Sequence, residues 1–408
     1  MKHIISKSCA DAQAYIVPFR VGSHRGVSIT PEIDAAVDLA INGSFGGNLG
    51  ETYAMTLPAG DKLTSIILLG LGADRLSVRD IHTKAAPAFK QAKQLGAKHV
   101  AVMLDQLSEL SESAELFGAL ARLPPLVGYT NSGLKSNPEN KNFEQVAFVT
   151  AADGLDAALS EAVATARGTI IARRLCNLRS NEQTPQSLAE DAAALGKEYG
   201  FDVQLFDKAA IEELGMESFL SVARGAHNTP PVLIVMRYLN GGDSPRIGLV
   251  GKGIVYDSGG YSIKTTPGMK NMFDDMGGAA AVIGAMTAVA DQKLKANVIG
   301  VIAACENKIA ADAYVPGDII GSMSGKTIEV ISADAEGRLT LADAVTYIQR
   351  KESCRFVADI ATLTGSAKTA VGKYSAAVLT NNEELYASAR EASRLSAEKI
   401  WRLDNDRE

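Results

Sequence analysis

Short apolar runs of strand length alternate with helix-length segments along most of this chain, and that alternation constrains the fold more than any other feature. Residues 63–71 and 99–104 read as strands, with a helix over 80–95 between them. Residues 108–123 have helical periodicity and 145–150 form another apolar strand, while the Pro-, Asn- and Ser-rich stretch 124–142 reads as a surface loop. An alanine-rich run over 155–178, carrying Arg167, Arg173 and Arg174, reads as a long connecting helix on which Arg173-Arg174 mark a solvated face or an interdomain contact. Thr184 and Pro185 then supply an N-cap and a first-turn proline for a helix reaching about Lys197, followed by a strand at 202–206. Further on, 232–238 and 246–250 read as adjacent strands around the Asn-Gly-Gly-Asp turn at 240–243. Residues 279–289 form a small-residue helix, 297–304, 327–331 and 356–360 form apolar strands, and 383–399 is helix-like. Such alternation implies βαβ units. The expected fold class is α/β, with two domains, each a mixed or mostly parallel sheet flanked by helices, joined by a long helix. The expected boundaries are an N-terminal domain at 1–152, a connecting helix at 153–178 and a catalytic domain at 179–408.

The chain has 408 residues, enough for two domains at about 100–200 residues each. It can bury a large core and needs no disulfide framework. A formal net charge of −6 argues against a dominant nucleic-acid role, because phosphate binding needs clustered Lys and Arg. The four cysteines, Cys9, Cys176, Cys305 and Cys354, form no CxxC pair and read as free thiols in a reducing compartment, with Cys305 and Cys354 in the core. The first residues lack the apolar run of a signal peptide, and no stretch is long and apolar enough to span a membrane, so a cytoplasmic protein is expected.

The chemistry concentrates in three segments. GKGIVYDSGGYSIK, at 251–264, follows an apolar strand expected to end at Val250, and sets Lys252, Asp257 and Lys264 among glycines that let the backbone approach a ligand. The pair Asp274-Asp275 follows, then Met-Gly-Gly and a helix. SADAEGRL, at 332–339, comes after the next strand; if extended, it points Asp334, Glu336 and Arg338 to one face. Four carboxylates, two lysines and an arginine could thus gather at the carboxyl edge of a sheet, where α/β sites form. Carboxylates packed that closely cannot all stay ionised without compensation, and divalent metals supply it. The histidines His3, His24, His82, His99 and His227 all lie outside these motifs, which excludes an HExxH zinc site. Each motif alone has a plainer reading. GKG could cradle a phosphate, but it lacks the GxxxxGK[ST] spacing; an Asp in a glycine-rich turn is usually a turn former; DAEGR could be a solvated turn. Their combination, in this order, is the informative signal.

That combination resembles the cytosolic leucyl aminopeptidase family. The matching stretches are GKGIVYDSGGYSIK, DDMGGAAAV at 274–282, ADAEGRLTLADA at 333–344 and DIATLTGS at 359–366, within roughly 150–408. The resemblance implies a metal-dependent exopeptidase, with leucine-like N-terminal residues one preference it allows. It implies two divalent metal ions, Mn²⁺ or Zn²⁺. Lys252, Asp257, Asp275 and Glu336 would hold one; Asp257, Asp334 and Glu336, with the Asp334 carbonyl, the other. Lys264 would stay charged and stabilise the oxyanion, and Arg338 would hold a bicarbonate ion as general base. Leu363 and Gly365 would hold the peptide backbone, and Met272 would line the pocket for the first side chain. Peptide substrates and a homohexamer follow from the same resemblance.

Three departures stand out. Ser332-Ala333 replaces the family's usual Asn-Thr, Asn177–Asn181 reads Asn-Leu-Arg-Ser-Asn where prolines are common, and the family continues beyond KIWRLDNDRE, so the chain is expected to be truncated. A fold-sharing regulatory or DNA-binding protein is the alternative from another class, disfavoured by the intact ligand set and the acidic balance. A two-metal phosphatase is disfavoured by the absence of histidine from the motifs.

Overall fold

The computed structural model describes residues 1–8, 12–21, 29–59, 62–131 and 142–405, so Cys9 and His24 lie outside the described residues. Two compact units emerge: Met1–Ala166 together with Val371–Glu408, and Arg167–Ala370.

The first unit runs β1 (Lys2–Ser6), β2 (Ala14–Phe19), α1 (Pro31–Gly43), β3 (Thr52–Ala59), β4 (Lys62–Gly70), α2 (Val78–Lys84), α3 (Ala86–Gln94), β5 (His99–Met103), α4 (Ser108–Glu112), α5 (Ala114–Ala121), α6 (Leu123–Gly128) and β6 (Gln145–Val149). Its six-stranded sheet has the order β1-β6-β5-β2-β4-β3. β3 pairs antiparallel with β4, and the other pairs are parallel. Alternate residues of β2 and β4 enter two separate cores: Ile16, Ile67 and Leu69 on one face, Tyr15, Val17, Ile66 and Leu68 on the other. Continuous apolar strands are what a sheet covered on both faces requires.

Three expectations change here. The helix expected over 80–95 is two helices, because Pro87 cannot donate into the preceding turn and its ring opposes continuation. The run 108–123 also breaks, at Ser113, whose side chain caps α5 by accepting from Leu116 N–H. Pro124 and Pro125, expected in a loop, are buried in the first turn of α6, where missing N–H groups cost nothing; 132–141 lies outside the described residues.

The division between the units falls within α7 (Asp156–Asn177). The second unit continues with α8 (Pro185–Tyr199), β7 (Asp202–Phe206), α9 (Lys208–Glu213), α10 (Glu217–Ala223), β8 (Val232–Leu239), β9 (Arg246–Asp257), α11 (Thr266–Met269), α12 (Gly277–Asp291), β10 (Asn297–Asn307), β11 (Ile319–Ile320), β12 (Ile328–Glu329), α13 (Glu336–Arg350), β13 (Phe356–Ile360) and α14 (Gly365–Val371). Thr184 caps α8 in a reciprocal box with Ser187. The remaining elements, β14 (Ser375–Val378), α15 (Glu383–Ser396) and β15 (Lys399–Arg402), group with the first unit, where Arg394 pairs with Glu115 at 2.9 Å.

The sheet of the second unit has the order β13-β9-β10-β8-β7. β8 and β9 are therefore not the expected hairpin: β10 lies between them, parallel to β9 and antiparallel to β8. Every residue of β10 is buried, and only the centre of a sheet can shelter an eleven-residue run of that kind on both faces and both edges. β9 also continues seven residues beyond Val250, so Lys252 and Asp257 sit on the strand itself rather than in a following loop. The run expected at 327–331 contributes only β12, paired with β11 outside the main sheet.

α12 lies unusually close to the sheet, and glycine permits it. A Cβ at Gly278 would stand 2.0 Å from the Ile360 carbonyl oxygen and 2.8 Å from Lys252 N. Gly278→Ala should destabilise the second unit by about 1–3 kcal/mol through overpacking. At about 2–4 °C per kcal/mol for a unit this size, the melting temperature should fall measurably; an unchanged melt would show that the contact relaxes freely.

Candidate metal centre

β9 delivers both a lysine and an aspartate, Lys252 and Asp257, to one face of the sheet, although they are five positions apart. Along a regular strand, an odd separation puts side chains on opposite faces. The pairing of β9 with β10 shifts register after Cys305, so that Ile254 faces Cys305 but Tyr256 faces Glu306. This bulge inserts one residue, and Lys252 opposite Ala303 then shares a face with Asp257 opposite Asn307.

Asp275 arrives from the other side, just after the 3₁₀ turn Met272–Asp274 and before α12. Asp334 and Glu336 arrive by a different route from the one expected. Residues 332–335 form a turn, closed by Ala335 N–H donating to Ser332 O at 3.2 Å, and Glu336 is the first residue of α13. The segment is not extended, so Arg338 does not share their face. Two helical residues on from Glu336 is a rotation of about 200°, and Arg338 is exposed.

The five predicted metal-binding side chains nevertheless converge. Lys252 Nζ lies 2.8 Å from Asp275 Oδ2 and 2.7 Å from Glu336 Oε1, and donates to the Thr362 carbonyl at 3.0 Å. Lys264 Nζ lies 2.7 Å from Asp257 Oδ2 and also pairs with Asp334. Carboxylate oxygens of Asp257, Asp334 and Glu336 fall within 4.8 Å of one another. Gly337 makes room, since a Cβ there would stand 2.7 Å from Lys252 Cε.

Burial opposes the charge on Lys252, but Glu336 and Asp275 outweigh it and hold the ammonium above the ordinary lysine value. Burial likewise pushes the Asp275 carboxyl up to about 7, against the pull of Lys252. Burial also raises Glu336, with Lys252 opposing and Asp257 adding repulsion. The centre thus holds carboxylates whose ionised forms are expensive without a cation nearby.

The donor set fits divalent metal ions. Glu336 Oε2 is buried without a hydrogen-bond partner among the described residues. An orphaned oxygen in so dry a place is what a cation would satisfy.

Met272 is half-buried in the 3₁₀ turn preceding Asp275; Leu363 and Gly365, both exposed, follow Thr362. Thr362 Oγ1 donates to Asp275 Oδ1 at 2.7 Å, which places Thr362 itself beside the centre. Sequence reasoning missed Thr362 and also Asn307, which is fully buried and donates to Asp257 Oδ1 at 2.8 Å. The one available signal was a polar Glu-Asn pair closing an otherwise apolar strand. Cys305 is buried and Cys354 packs against the core, as expected, and burial raises both thiols. Arg173 and Arg174 are exposed, and Arg174 pairs with Asp191 at 2.8 Å.

A mixed α/β unit whose central strand β9 and neighbouring turns gather clustered carboxylates and two lysines has the features of a metal-binding enzyme. The catalytic-domain model of the cytosol aminopeptidase family matches residues 170–408, and its N-terminal-domain model matches 34–138. A probable cytosol aminopeptidase of Clostridium perfringens is 41% identical over 417 residues, covering 98% of this chain and 83% of that protein. One from Fusobacterium nucleatum is 41% identical over 360 residues, covering 88% and 73%. Among solved structures, the bottromycin maturation enzyme BotP in complex with Mn superposes with a TM-score of 0.83 at 27% identity, covering 96% of this chain and 82% of that one. The chain belongs to the cytosol aminopeptidase family. It is a metal-dependent aminopeptidase, a hydrolase that removes N-terminal residues from peptides, and it uses divalent metal ions. No helix among the described residues is long and apolar enough to cross a membrane.

Replacing Lys252 with Met should cost the metal-free protein about 3–5 kcal/mol, the penalty for stranding buried charges. Urea denaturation in chelator measures it; a loss below about 1 kcal/mol would mean Asp275 and Glu336 do not depend on that lysine.

Proposed function

We propose that Lys252, Asp257, Asp275, Asp334 and Glu336 hold two divalent metal ions, with Asp257 and Glu336 shared between them. The observation that carries this reading is the 4.8 Å cluster of Asp257, Asp334 and Glu336, adjoined through Glu336 by Lys252 and Asp275. Mn²⁺ and Zn²⁺ both suit such donors, and Mn is present in the BotP structure. When bound, such ions supply a water acidic enough to lose its proton near neutral pH and polarise the scissile carbonyl. Lys252 must give up its proton to act as a ligand, which its two carboxylate partners resist until a cation takes over their compensation.

Lys264 keeps its ammonium charge and donates to the oxygen that becomes negative as the peptide carbonyl is attacked. Arg338 holds a bicarbonate ion as general base; its exposed side chain leaves the guanidinium free to turn toward a small anion. Met272 lines the pocket for the first side chain, and the backbone at Leu363 and Gly365 holds the peptide; their proximity to Asp275 and Thr362 supports this. We also propose the division into an N-terminal domain at 1–152, a connecting helix at 153–178 and a catalytic domain at 179–408; the family-model matches at 34–138 and 170–408 support its two domains. A cytoplasmic homohexamer completes the proposal, and light scattering of the purified protein reports its mass.

The decisive experiment strips the protein of metal and follows hydrolysis of aminoacyl-anilides on resupply of Mn²⁺ or Zn²⁺. Activity should vanish with chelation and return with metal; metal-independent hydrolysis would sink the reading. Lys264→Ala should leave metal content intact and lower kcat by roughly 10²–10³, the size of a lost oxyanion donor, and full activity would remove Lys264 from the chemistry. Asp257→Ala and Glu336→Ala should each weaken both ions. One full-occupancy metal in both variants, by elemental analysis, would contradict the sharing.

A further inference from the structure

We propose that Asn307 is a positioning residue that sets which oxygen of Asp257 faces the metal ions and locks the turn that carries Asp334; this rests on the metal-centre reading above. Asn307 closes β10 directly opposite Asp257 and is fully buried. Its amide is 2.8 Å from Asp257 Oδ1 and 3.0 Å from the Ala333 carbonyl. Both partners are acceptors, so the atom between them must be the NH₂ group, with one hydrogen for each.

Asp257 Oδ1 also accepts from Gly259 N–H at 2.9 Å, so two donors occupy it. Oδ2, which faces Lys264, is the oxygen left for a cation. A carboxylate held at one oxygen by two donors would present Oδ2, rather than both oxygens, to a bound cation. Through its second hydrogen Asn307 ties down Ala333, the residue before Asp334. Tyr314 Oη donates to the same carbonyl at 2.8 Å, and Ala333 N–H donates to Ser262 Oγ at 3.0 Å. The main chain of Asn307 is itself pinned, since Ser258 N–H and Oγ donate to its carbonyl at 3.0 and 2.7 Å. One side chain thus couples the end of β9 to the turn before α13, fixing two ligand-bearing segments against each other. Residues that orient ligands in this way are worth about 10–100-fold in metal affinity or activity.

The test is calorimetric titration of metal-stripped protein with Mn²⁺, comparing wild type with Asn307→Ala, Asn307→Asp and Asn307→Ser, with circular dichroism and metal-free melting confirming the fold. Ala and Asp remove both donors at once and should raise the apparent Kd about 10–100-fold. Ser keeps one donor and should lose less. Excess Mn²⁺ should restore most of kcat in the Ala variant, because the defect lies in holding the ions; a purely structural role would lower the metal-free melting temperature without moving the Kd. Folded Ala and Asp variants binding Mn²⁺ within twofold of wild type would overturn the proposal. If Ala does not fold, Ser decides: a raised Kd supports the role and wild-type affinity overturns it. Failure of the wild type itself to take up Mn²⁺ would refute the metal centre instead.

Discussion

The second unit is organised around the cost of holding carboxylates together away from water. Asp257, Asp275 and Glu336 are buried side by side, with Asp334 at the rim. A carboxylate removed from water without a partner costs several kcal/mol, and each like-charged neighbour adds to that. Every surrounding device reduces the penalty. Lys252 and Lys264 stand among the carboxylates as cations, and Thr362, Asn307 and Gly259 N–H each occupy an oxygen not turned toward the cluster.

The fold contributes the rigidity that such a cluster needs. β10, buried throughout, is the fixed reference against which β9 is registered, and the bulge beside it is what brings Lys252 and Asp257 onto one face. Gly251 and Gly278 let α12 approach the sheet closely enough for Asp275 to meet Lys252; a Cβ at Gly251 would stand 2.7 Å from the Gly278 carbonyl. Helix α13 begins at Glu336 itself, so its position follows from the packing of Leu339, Leu341, Ala344, Tyr347 and Ile348 in the core. Apolar burial far from the chemistry, at about 1.5–3 kcal/mol for each large side chain, is thus what holds the carboxylates in place against their repulsion.

Burial also separates the two lysines. Lys252 is enclosed and paired with the two carboxylates nearest it, whereas Lys264 is less enclosed, between Asp257 and Asp334. Two lysines in closely spaced motifs therefore suit the different parts proposed for them, because their burial and partners differ.

The sequence alone determined the fold class and most of the elements, and it singled out the three segments from which the resemblance drew its five candidate ligands. The strand and helix periods are local properties of the chain, and Lys, Asp and Glu among glycines are unusual enough to be read without coordinates. The resemblance to a known family supplied their roles. What the sequence left open depends on contacts between distant segments. The insertion of β10 between β8 and β9, the bulge that reverses the facing of Asp257, the turn that replaced an extended 332–339 and the rotation of Arg338 away from Glu336 all follow from packing. Asn307 was illegible for the same reason: a polar residue at the end of an apolar strand acquires a role only when pairing sets it opposite Asp257. Tertiary structure decided these points because register and burial are settled between strands, not within them.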